Sequence, residues 1–145
     1  MNHIAVAELT SEAFAPFGEI GPPYSDGGQA PLDAAVDLSR GTLRFYSLVF
    51  EVMAQHDRLT RCLSAVDGEP SLTAVVPGSI VQLGPIDISA FRVLSARFTK
   101  LGLGTWHIGP YFVGPLHDFY NRETVDTGIA DYTVRQLDEP VEFAT

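Results

Sequence analysis

The chain has 145 residues, 46% of them hydrophobic and 19% charged, a balance that suits one globular domain spanning 1–145 and excludes a disordered or fibrous chain. Eighteen acids against nine bases give a formal net charge of −9, a field that repels phosphate backbones and anionic headgroups and so argues against nucleic-acid and membrane partners. Cys62 is the only cysteine, so neither an intrachain disulfide nor a cysteine metal cluster can form, and a cytoplasmic setting is expected.

The N-terminal residues Met1-Asn2-His3-Ile4 do not read as a signal peptide. No apolar run approaches the roughly 18 residues needed to span a bilayer, since Glu51 interrupts the stretch around Leu48 to Met53. Thr10 to Ala15 predicts the one short helix, with Thr10 as cap, Glu12 near the positive end and Pro16 with Gly18 as the stop. Gly21 to Ala30 reads as a surface loop.

Thr42 to Phe50 is rich in aromatic and β-branched residues and predicts a strand, with Arg44, Tyr46 and Leu48 on one face and Leu43, Phe45 and Ser47 on the other. Further strands are expected at 59–64, 72–76, 79–83, 88–94, 96–100, 105–108, 117–121 and 132–137. Thirteen glycines and ten prolines punctuate them. Eight to ten short strands must close up or pack as two sheets, which predicts an all-β jelly-roll barrel.

Histidine titrates near neutrality and binds metals, so the four histidines are the first candidates for chemistry. His3 lies near an end expected to fray. His56 precedes an expected strand among Gln55, Asp57 and Arg58, and His107 stands among apolar neighbours; a satisfied core or surface histidine is the competing reading for either. In Gly104-Thr105-Trp106-His107-Ile108-Gly109-Pro110 the flanking glycines permit close backbone approach. Alternation sends Trp106 and His107 to opposite sides of a strand. Cys62, inside an apolar strand, reads as buried and inert.

Gly104-Thr105-Trp106-His107 resembles the late motif of the ureidoglycolate lyase (ureidoglycolate hydrolase) family of cupins. Leu9 to Gly18 resembles that family's N-terminal signature and Arg44-Phe45-Tyr46-Ser47-Leu48 its Arg-aromatic segment. Thr60-Arg61-Cys62-Leu63 and Asp118-Phe119-Tyr120-Asn121 extend the similarity to a divergent hydrolase-like subgroup. The resemblance implies a cupin-type double-stranded β-helix and cleavage of a small anionic carboxylate, as lyases cleave ureidoglycolate to glyoxylate and urea. The chain departs from the lyase pattern at Tyr46-Ser47, where lyases carry His-Asp, and at His107-Ile108, where they carry a His doublet. It also has Leu101, Gly102 and Leu103 where they carry a Tyr and a His.

Against metal-binding cupins, His56 matches the second histidine of an early His-x-His and Ala54 the first, Arg61 falls at the glutamate position, and His107 matches the later histidine. A guanidinium cannot ligate a metal and repels a divalent cation, so no cofactor is expected beyond a weak divalent site at His56 and His107, joined by Glu51 or a water. Arg61 could instead clamp a carboxylate, with Arg44 or Arg97 as substitutes, or point outward and pair with Asp57 or Asp67. The resulting expectation is acid–base catalysis with His107 as base, His56 or Glu51 as acid, and Tyr46 and Trp106 in the pocket wall. A non-catalytic binding module and a metal-dependent cupin enzyme are the alternatives. A homodimer is the expected assembly.

Overall fold

The computed structural model describes residues 1–23, 36–44, 48–56, 61–65, 70–80, 82–93, 97–112, 116–124 and 133–144, of which 22–23, 36–44, 61–65, 97–98, 110, 112 and 116–124 are described in backbone alone. In chain order the elements are β1 (Asn2–Glu8), α1 (Ser11–Phe14), β2 (Gly18–Pro23), β3 (Val36–Arg44), β4 (Val49–Gln55), β5 (Arg61–Ala65) and β6 (Ser71–Val76). They continue with a 3-10 turn at Pro85–Asp87, β7 (Ser89–Val93), β8 (Arg97–Leu101), β9 (Trp106–Phe112), β10 (Leu116–Thr124) and β11 (Thr133–Ala144). No helix among the described residues is long and apolar enough to cross a membrane.

The strands form a closed barrel in the order β1-β11-β4-β9-β6-β7 and a five-stranded sheet in the order β2-β8-β5-β10-β3. Strand β1 closes the barrel by parallel pairing on both sides: Asn2 to Ala5 run beside Val141 to Ala144, and Val6 to Glu8 beside Ala90 to Arg92. His3 is therefore held in a strand, and its Nδ1 lies 3.3 Å from Glu142 Oε1. The expected frayed end is corrected to the closing strand of the barrel.

Directly paired residues share a face of a sheet, so register sorts the barrel side chains into two layers. Ile4, Phe50, Leu72, Ala74, Trp106, Val141 and Phe143 come from the barrel strands and pack into one cluster, which fills the barrel. Val75 and Phe91 face the other way and join Phe14, Phe17 and Leu101 in a second cluster that bonds the barrel to α1 and the five-stranded sheet. Phe14, Phe17 and Phe91 meet with ring centroids 5.5–5.8 Å apart in tilted and edge-on arrangements, a geometry the ring quadrupoles favour.

The helix forms as expected: the Thr10 side chain accepts a hydrogen bond from the Ala13 N–H, and α1 is a single turn that delivers Phe14 into the second cluster. Three expectations are corrected. Residues 79–80 and 82–83 form no strand; Ile80 and Leu83 are apolar because they pack against the barrel core from a loop. Gly109 does not end a strand but lies within β9 at φ 125°, where an added Cβ would come 2.9 Å from the Leu72 carbonyl oxygen. The strand expected from Thr42 to Phe50 is interrupted by a bend at Leu48, after which β4 starts at Val49.

Phe14 is 0% exposed while Ile86, on the 3-10 turn, is 94% exposed. Phe14→Ala is accordingly expected to cost about 3–5 kcal/mol in urea-unfolding stability, and Ile86→Ser to stay within about 0.5 kcal/mol of the native protein.

Candidate functional site

His107 is the second residue of β9, paired with Ala54 of β4 on one side and Val75 of β6 on the other. Val75 belongs to the layer between barrel and sheet, so His107 faces that layer as well. His56 stands two residues beyond Ala54 and reaches the same place: the two imidazoles stack with centroids 5.4 Å apart and planes 26° apart. Both are buried, at 5% and 4% exposure.

The backbone around them is pinned. Gly104 N–H donates to the His56 carbonyl at 2.7 Å, and Gln55 Nε2 donates to the Gly104 carbonyl at 2.9 Å. These bonds tie the β8–β9 turn to the end of β4. His107 Nδ1 lies 3.3 Å from the Thr105 carbonyl oxygen. A carbonyl only accepts, so this bond assigns the proton to Nδ1 and leaves Nε2 of the neutral ring with a lone pair.

The other expected site residues are distributed differently. Trp106 lies on the opposite face of β9, 2% exposed within the barrel core, with the Arg135 guanidinium carbon 5.2 Å from its ring centroid. Its side chain packs on the face of β9 opposite His107, as alternation predicts. Glu51 is exposed on β4 and is not gathered to the buried imidazoles. Phe50 and Met53 both join the barrel core although three residues apart, and β11 shifts register between Gln136 and Val141. This irregularity breaks simple alternation and leaves Glu51 in solvent.

Arg61, Arg44 and Arg97 all have their backbone in the five-stranded sheet. Arg61 opens β5 in register with Leu101 of β8 and Glu123 of β10, Arg44 ends β3 opposite Leu116, and Arg97 opens β8 opposite Pro23. Tyr46 lies outside the described residues. Among the described residues no three histidine, cysteine, aspartate or glutamate side chains come together. Ala54, directly beside His107, offers no ligating atom.

Sequence reasoning missed the buried hydroxyls. Thr73 Oγ1 donates to the Ile108 carbonyl and Thr105 Oγ1 to the Phe17 carbonyl, each at 3.1 Å. It also missed a hollow of about 760 Å³ beside the β8–β9 turn, whose signal was the glycine density at Gly78, Gly102 and Gly104. A smaller hollow of about 370 Å³ lies against the β11 irregularity at Asp138 and Glu139. Neither is lined by His56 or His107.

Tyr111 packs against Phe50 and Phe143, with centroids 6.4 and 5.4 Å away, and burial raises its phenol above the ordinary 10.0. An unfolded chain therefore ionises this phenol first as pH climbs past 10, and the folded state loses stability across that window. Tyr111→Phe is expected to remove that part of the alkaline decline in stability, followed by denaturant unfolding at stepped pH.

Neither a protein-family model, that of the ureidoglycolate lyases included, nor a curated protein sequence matches the chain. Solved structures do. A dTDP sugar isomerase from Desulfovibrio desulfuricans G20 is 13% identical with a TM-score of 0.51, covering 84% of this chain and 83% of that one. RmlC from Streptococcus suis, solved with dTDP-D-xylose, is 11% identical with a TM-score of 0.45, covering 62% of this chain. The match spans only 44% of that RmlC chain. At these identities the likeness is one of fold: a cupin-like β-barrel.

Proposed function

We propose that this chain is a small-molecule enzyme that works by acid–base chemistry, without a metal, on a small polar carboxylate of the ureidoglycolate type. The observation that carries the reading is the buried, stacked His56–His107 pair, with His107 Nδ1 3.3 Å from the Thr105 carbonyl oxygen. His107 Nε2 is then the base and His56 the acid. Glu51, exposed on β4, has no part in it.

For a carbinol-urea substrate the steps balance as a lyase reaction. His107 Nε2 takes the hydroxyl proton, the oxygen's electrons form the carbonyl of glyoxylate, and the C–N bond breaks. His56 protonates the departing nitrogen to give urea. No covalent enzyme intermediate is required, and each proton transfer by a placed side chain contributes about 10²–10⁴-fold. The carboxylate is assigned to Arg61, whose backbone stands in register with Leu101 of the layer between sheet and barrel. A guanidinium fork holds a carboxylate through two parallel hydrogen bonds.

A second reading takes the same proton-transferring pair to a nucleotide sugar. It is favoured by the likeness to a dTDP sugar isomerase over 84% of this chain.

Glyoxylate release from racemic ureidoglycolate and related hydroxy acids tests the first reading. His107→Ala is expected to lower kcat by about 10²–10⁴-fold, and Arg61→Ala to weaken oxalate binding about tenfold or more. Absence of turnover by the native protein across the panel would sink the lyase reading. Solvent deuterium appearing in a dTDP-sugar would favour the second.

A further inference from the structure

The α1–β2 turn, the end of β6 and the β8–β9 turn border the 760 Å³ hollow, whose size is that of a small-molecule site. Its frame is set by backbone contacts. The Phe17 carbonyl accepts from Gly102 N–H at 2.8 Å and from Thr105 Oγ1 at 3.1 Å, which fastens the two turns together. At Gly78 an added Cβ would come 2.6 Å from the Gly104 carbonyl oxygen, and at Gly18 one would collide with the Lys100 carbonyl. Glycine at these two positions lets the walls approach, and the hollow is built before any ligand arrives.

Its lining is chemically specific. Glu19 and Lys100 are directly opposite each other on β2 and β8, and both line the hollow. Among the described residues neither has an ion-pair partner. Lys100 is the only lysine of a chain with a net charge of −9. Side by side, the two opposite charges match a ligand that carries both a carboxylate and an ammonium group. Phe17, Leu101 and Leu103 add apolar wall beside the two charges.

We propose that this hollow binds an amino-acid-type zwitterion with an apolar side chain, its carboxylate on Lys100 Nζ and its ammonium on the Glu19 carboxylate. The site is separate from the histidine pair, which does not line it.

Isothermal titration with L-leucine tests the proposal, with 4-methylpentanoate and isopentylamine as the two half-ligands. Leucine is expected to bind, and each half-ligand to bind at least about tenfold more weakly, as is usual when a charge-assisted contact is lost. Lys100→Met and Glu19→Gln are each expected to weaken leucine by a similar factor while keeping the native Tm. His107→Ala should leave leucine affinity unchanged even where glyoxylate release is lost, which separates this site from the proposed reaction. No binding of leucine, equal binding of either half-ligand, or unchanged leucine affinity in both Lys100→Met and Glu19→Gln would overturn the proposal.

Discussion

Every side chain of β6 is buried, because the strand is a wall shared by two packed layers. Leu72, Ala74 and Val76 fill the barrel, while Val75 packs toward α1 and the five-stranded sheet. Strand β9, paired with β6, inherits the same division. Its register gives Trp106 to the barrel core and His107 to the layer between barrel and sheet. A slip of one residue would exchange them, burying an imidazole among aromatic side chains and turning an indole outward. The placement of the candidate chemistry thus follows from a wall apolar on both faces.

The β8–β9 turn, which crosses from the five-stranded sheet to the barrel, couples this layer to the larger hollow. Gly104 donates to the His56 carbonyl, accepts from Gln55 and stands at φ 77°, a conformation glycine adopts without a steric penalty. Thr105 then serves both sides, its hydroxyl on the Phe17 carbonyl and its own carbonyl facing His107 Nδ1. One short turn orients the proposed base and fixes one wall of the hollow, so preorganisation is provided by main-chain atoms rather than by long side chains.

Much of this was legible in the residues. The Thr10 cap with Pro16 predicted α1, and the strands near β6 to β10 were marked by β-branched runs between glycines and prolines. Alternation in Thr105-Trp106-His107 correctly set the two rings on opposite sides; what it could not give was which side faced the chemistry, since both faces of β9 are buried. The side on which Glu51 stands was not legible, because the irregularity between Phe50 and Met53 breaks the period of two on which such placement depends. The apolar run at Ile80 to Leu83 looked like a strand, yet a loop that caps a barrel end needs apolar residues too. Strand β1 was missed because its stability comes from parallel partners some 85 to 140 residues away, which no local window contains.

The central claim is that His56 and His107 stack in the layer between barrel and sheet, with the His107 proton on Nδ1. Long-range proton–nitrogen correlation NMR of the imidazoles tests it most directly, combined with ring-to-ring nuclear Overhauser contacts. The account predicts, for neutral His107, a protonated Nδ1 with an unprotonated Nε2, and a cross-peak between the two rings. A His107 ring protonated on Nε2, with no contact to His56, would contradict it.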